Sequence, residues 1–408
     1  MRISTATARK IALLQFIMNA RTSSRSALVS QSGLSAASVT RLVDELAGGG
    51  LVEEGGKLKS GSRVGPKRRA LRVRPDAACA IGMDVDYGLC VRGVLIDAAN
   101  TARMTQRTDL GPGTQPVHEA VKTMAERLVR AARRQELPLL GLGLGLPFHF
   151  DHGLTAAANW DHFDELSGLA GHVSELKQTF DVDVETRNTV HCAALAESRI
   201  GPHADAPDML LVMARAGVAC AMIQNHALMP LDSRKGGELG HTVVQPEGRF
   251  CSCGNRGCLE AYAGGRALVS TLLEKREGGL PAASSPYAFL VDQVRRDSPD
   301  VRDALRLGAR YLGIGVQNMV QVLAPQVVLI EGFYAIAAPE IQTMLRSLVQ
   351  PALSERTGTP RENAIFFNGL GEFAGAIGAA MHVRDRAARH FFARKLAEGG
   401  GPEANLSP

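Results

Sequence analysis

The sequence predicts an α/β protein that opens with a winged helix-turn-helix module and continues into a larger body of alternating strands and helices. Three observations carry this. Residues 1–75 hold 14 Lys and Arg against 4 Asp and Glu, a balance of +10 that leaves about −5 for residues 76–408 out of a total of +5. Apolar residues recur at helical spacing through the first 50 positions, whereas from Ala77 onward short apolar runs alternate with helical ones, the pattern of an open sheet with ligands at its strand ends. Finally, the stretch from Gly236 to Glu260 concentrates one histidine and three cysteines, flanked by the carboxylates Glu238 and Glu260, in a polar, Gly-rich loop.

In chain order, Arg9–Ala20 places Ile11, Leu14, Ile17 and Met18 on one face of a first helix. Ser26 is the expected cap of a short second helix, Gly33 turns the chain, and Ser35 caps a third helix whose Val39, Leu42, Val43 and Leu46 form one core-facing stripe. Its other side, Ser35, Ala36, Ala37, Ser38, Thr40 and Arg41, is small and polar enough to approach base edges. A basic hairpin follows, with Lys57, Lys59, Arg63, Lys67, Arg68 and Arg69 around Gly61, Gly65 and Pro66, suited to phosphates or a minor groove. A basic module joined to a mildly acidic body points to a polyanion partner, most simply a double-stranded DNA operator.

Length and a hydrophobic content of 45% allow two or three domains. The expected divisions are 1–75, 76–395 and a disordered tail at 396–408. Seven cysteines without a disulfide framework fit a reducing, cytoplasmic setting, and no apolar run is long enough for membrane insertion. In the body, 79–97 reads as two strands, Val117–Arg134 as a helix, 139–146 as a strand ending at Pro147, and 326–332 as a buried strand. Cys79, Cys90, Cys192 and Cys220 sit among apolar neighbours and read as core thiols; His149, His152 and His162 lack partners that would make a second metal site.

The loop at 236–260 carries the most specific pattern. His241, Cys251, Cys253 and Cys258 supply three thiolates and an imidazole, a closed tetrahedral set that suits structural Zn2+ and leaves no open position for a reactive water. Gly237-Glu238-Leu239-Gly240-His241 followed by Cys251-Ser-Cys253-Gly-Asn-Arg-Gly-Cys258-Leu-Glu260 resembles the signature of the ROK family, which groups bacterial sugar kinases with sugar-responsive repressors. The resemblance covers nearly the whole chain except the tail. It implies a two-lobed, actin-like sugar-kinase-type body. It also implies a sugar-like effector bound by Asn188, Glu238, His241 and Glu260, with His241 giving one ring nitrogen to zinc and the other to a sugar hydroxyl. Asn159 falls in a segment resembling the family's sugar-side loop, and Trp160 either borders the pocket or caps the core.

Where family kinases carry phosphate-binding and catalytic residues, this chain departs. Their Asp-x-Gly-Gly-Thr turn is here Asp84-Val85-Asp86-Tyr87-Gly88, and their Gly-Thr-Gly loop is Ala214-Arg215-Ala216. Their Asn-Asp pair is Asn188-Thr189, and the paired glycines near the nucleotide are Glu331-Gly332. Threonine is no carboxylate base near neutral pH, and bulk or negative charge at a glycine turn keeps phosphate from the backbone amides. The expectation is therefore a regulator without enzymatic activity, a homodimer or homotetramer. A sugar kinase and a regulator controlled by a protein partner stand as the alternatives.

Overall fold

The structure, a computed structural model, describes residues 5–19, 23–57, 69–86, 90–110, 116–147, 163–230, 237–274, 286–357 and 364–398. The N-terminal module comprises α1 (Thr5–Asn19), α2 (Arg25–Ser32), α3 (Ala36–Gly48), β1 (Val52–Lys57) and β2 (Arg69–Val73). Ser24, not Ser26, starts α2: its hydroxyl accepts a bond from the Ala27 amide, one of the donors that a helix start leaves without an internal partner. Gly33, at φ 67°, ends α2 in the left-handed conformation, and Ser35 caps α3 through the Ser38 amide. Val39, Leu42, Val43 and Leu46 are all buried against Leu13, Leu14 and Leu28. β1 and β2 pair antiparallel from Val52↔Val73 to Lys57↔Arg69, which forms the base of the expected wing. Lys59, Arg63, Lys67 and Arg68 lie outside the described residues.

The body is built on two five-stranded sheets. The first contains β3 (Cys79–Asp86), β4 (Cys90–Asp97), β5 (Ala102–Asp109), β6 (Leu139–Leu146) and β7 (Asp183–Asn188) in the order β5-β4-β3-β6-β7, with α4 (Val117–Arg134) and α5 (Phe163–Phe180) in its connections. Every residue of β3 and β4 is buried, which is why these strands read as nearly unbroken apolar runs. After α6 (Thr189–Ile200) the chain enters the second lobe with β8 (Met209–Ala214), β9 (Val218–Gln224) and β10 (Ala227–Leu228). Then come α7 (Glu260–Ala263), α8 (Gly265–Glu274), α9 (Pro286–Arg295), α10 (Pro299–Leu323), β11 (Val327–Gly332), α11 (Pro339–Thr357) and β12 (Ile365–Phe366). The second sheet runs β10-β9-β8-β11-β12, with β8 and β11 parallel at its centre. The stretch after the cysteine loop forms two helices rather than one, because Gly264 is extended (φ −74°, ψ 152°).

The last helix, α12 (Ala374–Glu398), returns to the first sheet. A Cβ on Gly82 would fall 1.9 Å from the Ala376 carbonyl oxygen, and one on Gly378 would fall 1.7 Å from that of Cys192, so only glycine lets α12 seat between β3 and α6. Helix α12 runs through Glu398, so 396–398 are helical rather than tail; 399–408 lie outside the described residues. Residue 75, the expected division, opens a 3-10 turn (Pro75–Ala77), yet the apolar core continues across it. Ala98, Leu140, Ala388, Phe392 and Ala393 of the body pack with the module's own leucines. Cys79, Cys90, Cys192 and Cys220 are buried, and burial pushes the Cys79, Cys90 and Cys220 thiols up to about 12, as core thiols require.

Candidate metal centre and ligand cleft

Helix α6 sits between the lobes. One side packs on α12, while Val190, Ala193 and Ala194 pack with Met209, Leu211, Ala221 and Ile223 of the second sheet. Asn188 caps this helix, its Oδ1 accepting from the Val190 amide at 3.0 Å, and is nearly buried. The loop that follows β10 reaches the same helix: the Nε2 of His191 lies 3.5 Å from where a Cβ on Gly237 would stand. The first turn of α6 and the cysteine loop therefore face each other.

Within the loop, His241, Cys251, Cys253 and Cys258 offer ligand atoms that all lie within 4.8 Å of one another, the one such group among the described residues. The Nδ1 of His241 is 3.7 Å from Cys251 Sγ, and Cys253 Sγ is 3.7 Å from Cys258 Sγ. Zn–S bonds of about 2.3 Å in a tetrahedron give S···S edges of about 3.8 Å, so the donor set fits a four-coordinate metal of that size. Gly254 and Gly257, at φ 90° and 75°, make the turns that bring the thiols together. Burial, with the neighbouring thiols, pushes Cys258 up to about 12, so three thiolates packed this closely need a cation to offset their charge.

With Nδ1 toward the thiols, the Nε2 of His241 turns toward Glu238, 3.9 Å from its Oε2. Glu260 Oε2 accepts from the Val218 amide at 3.0 Å and lies against Gly217 and Gly240, where a Cβ would stand 2.3 and 3.0 Å from it. Glu238 and Glu260 thus flank the histidine, and both are reached from the loop. Asn159 and Trp160 lie outside the described residues, as do His149, His152 and His162.

The other side of the first turn of α6 holds a buried ion cluster that reading the sequence did not anticipate. Thr189 Oγ1 donates to Asp84 Oδ1 at 2.9 Å, and Arg215 Nη1 donates to Asp84 Oδ2 at 2.9 Å. Arg92 Nη1 reaches Asp86 Oδ2 at 3.0 Å and Asp84 Oδ2 at 3.4 Å, and its Nε donates to Glu372 at 3.2 Å. Burial opposes the charge on Arg215, but Asp84 and Asp86 more than offset this and hold its pKa well above the ordinary value. The sequence did carry one signal, a lone Arg92 inside an otherwise apolar strand. A second buried pair, Glu197 and Glu331, converges on Gly369; burial, followed by the Glu197 carboxylate, pushes Glu331 up to about 8.

In the N-terminal module Ser35, Ala36, Ala37, Thr40 and Arg41 are exposed along the start of α3, and Ser38 is half-buried. Ser35 is committed to its cap, its hydroxyl also bonded to Ser38 Oγ at 2.9 Å, and Arg41 pairs with Glu45 at 3.0 Å. Arg69 stands on β2, paired with Glu54 at 3.0 Å, whereas Arg63, Lys67 and Arg68 lie outside the described residues. Arg25, not singled out from sequence, pins α2 to α3 and β1 through Asp44 (2.6 Å), Glu54 (2.9 Å) and the Thr40 carbonyl (3.1 Å). No helix among the described residues is long and apolar enough to cross a membrane.

Comparison with known proteins places this geometry. The chain is similar to the xylose repressor of Bacillus subtilis, 25% identical over 378 residues, covering 91% of this chain and 94% of the relative. It is also similar to the DNA-binding transcriptional dual regulator NagC of Escherichia coli, 24% identical over 362 residues, covering 86% and 87%. Among solved structures, a ROK family transcriptional regulator homologous to the E. coli Mlc protein superposes with a TM-score of 0.67 at 19% identity, over 96% of this chain and 100% of that one. A ROK hexokinase from Thermus thermophilus superposes at 0.57 and 24% identity, over 75% of this chain and 99% of its own. The family-wide pattern of ROK proteins matches residues 84–386, from Asp84 on β3 through Arg386 on α12, and the chain belongs to the ROK family.

Proposed function

We propose that this chain is a sugar-responsive transcriptional repressor, in which the winged helix-turn-helix of residues 1–75 binds a DNA operator and the body binds a sugar without phosphorylating it. The observation that carries this reading is a site with two sides around the first turn of α6. Its sugar side retains Asn188, Glu238, His241 and Glu260, rich in hydroxyl-bonding groups. Its phosphate side is filled by Arg215, Arg92, Asp84 and Asp86 bonded to one another, with Thr189 in place of a carboxylate base. Phosphoryl transfer needs a positioned base and free amides or cations around the phosphates, and here the cations are already neutralised. Relatives named xylose repressor and N-acetylglucosamine repressor support the same reading.

His241, Cys251, Cys253 and Cys258 would hold a structural Zn2+, which fixes the loop and thereby orients His241 Nε2, Glu238 and Glu260 toward a hydroxylated ligand. Ser35, Ala36, Ala37, Ser38, Thr40 and Arg41 would meet the major groove, and Arg63, Lys67, Arg68 and Arg69 the backbone or minor groove. Two half-sites about one helical turn apart need two recognition helices, so the working species is a homodimer or homotetramer acting in the cytoplasm. Isothermal calorimetry of the zinc-loaded protein against D-xylose, N-acetylglucosamine, their phosphates, other pentoses and hexoses, and ATP tests the cleft. The expected result is saturable binding of a sugar with no heat from ATP. ATP binding with turnover would return the chain to the kinases, and silence from every sugar would favour a protein as the controlling ligand.

A further inference from the structure

We propose that Arg384 and Asp385 on α12 form the joint through which α6, and hence the ligand cleft, sets the position of the N-terminal module. This rests on the sensor reading for its purpose but on separate contacts for its existence. Arg384 is 0% exposed, the largest fully buried side chain described. Its guanidinium donates in three directions. Nη1 bonds Asn100 Oδ1 in the β4–β5 turn, Nη2 reaches Asn19 Oδ1 at the end of α1 at 3.5 Å, and Nε and Nη2 bond Asp385 Oδ1 at 3.2 and 2.8 Å. Asn100 closes the circuit by donating from Nδ2 to the Met18 carbonyl at 3.3 Å. One side chain of the body thus fixes the last turn of α1 both directly and through Asn100.

The other face of the joint belongs to the cleft. Asp385 Oδ2 lies 2.7 Å from Nη1 of Arg199, in the last turn of α6. Helix α6 is 12 residues, a rod of about 18 Å, and its opposite end carries Asn188 and Thr189. A second link runs in parallel: Arg187, beside Asn188 on β7, bonds His382 Nδ1 on α12 at 3.1 Å. A shift at the start of α6 cannot leave Arg199 in place, because packed helices move as units and buried charge pairs tolerate little separation. Any displacement of Asp385 then redirects the guanidinium that holds Asn19 and Asn100. Beyond the joint, Ala388, Phe392 and Ala393 of the same helix are part of the module's apolar core, so the polar joint and the apolar dock move together. This makes Arg384 a positioning residue, remote from both DNA and sugar, with the discrete two-sided contacts that energetic coupling requires.

Hydrogen exchange on the full-length, zinc-loaded protein tests the joint with neither sugar nor operator present, so its outcome is separate from that of the sensor reading. Arg199→Gln should accelerate amide exchange in the last two turns of α1 by about tenfold or more, while leaving β8 and β11 in the second lobe unchanged. Arg199→Lys, which keeps the charge opposite Asp385, should restore most of the protection. From the other side, Asn19→Ala combined with Asn100→Gly should accelerate exchange in the last turn of α6. Glycine suits position 100 because the native φ there is 67°. Unchanged exchange in α1 with Arg199→Gln, or acceleration spread evenly into β8 and β11, would overturn the proposal.

Discussion

Glu331 stands where family kinases turn on glycine, and its carboxyl is buried beside that of Glu197. Burial raises its pKa from the ordinary 4.5 to about 8, so the native state prefers it protonated. A carboxyl raised on folding contributes stability that is complete below about pH 4.5 and is lost as pH climbs through about 8. Glu331→Gln keeps the shape and removes the ionisation. It should raise the melting temperature by a few degrees at pH 8 and leave it nearly unchanged at pH 5, as read by scanning calorimetry at the two pH values. Single residues were also where sequence reasoning fell shortest. Asn188, Glu238, His241 and Glu260 are singled out in the sequence by a motif, whereas Arg92, Arg215, Asp84 and Asp86 meet only through the pairing of β3 with β4 and the approach of β8. Sequence presents the altered turns as lost functions; the structure adds that their side chains bind each other.

At the level of elements, the cysteine loop has little apolar support of its own, and its four donors could hold a metal. Between Leu239 and Cys251 it buries no large apolar side chain, and Phe250 and Val243 are exposed. Removing the metal with a chelator, or replacing Cys258 with Ser, should expose amides across 237–260 to exchange and abolish sugar binding, while β3 and β6 keep their protection. Retained sugar affinity without metal would separate the loop from the cleft. Helix periodicity placed α3 and α4 well, because a one-sided apolar stripe is a strong signal. Caps and breaks were less legible. Ser24 and Ser26 are equally good caps by composition, and the choice falls to Ser24 through its extended backbone (φ −151°, ψ 161°). Gly264 breaks the helix after the loop because the chain must pass Arg215, whose carbonyl a Cβ on Gly265 would approach to 2.7 Å.

For the whole molecule, the division between a basic N-terminal module and an acidic body was legible from charge alone, because like charges gathered in one segment have a common partner more often than a common fold. The continuity of the core across that division was not. Phe392 and Leu140 are ordinary apolar residues, and only the return of α12 to the first sheet brings them under α1. The proposed repressor joins two functions in one molecule: a sugar site at the start of α6, a helix that leads away from it, and a module that rests on the end of α12. The coupling of sugar to operator is tested by selecting duplexes from a random-sequence library with the full-length, zinc-loaded protein, with and without the sugar identified by calorimetry. The expected result is enrichment of an inverted repeat with half-sites about one helical turn apart, weakened steeply by salt and lost when the sugar is added. A library that emerges unenriched under both conditions would contradict it.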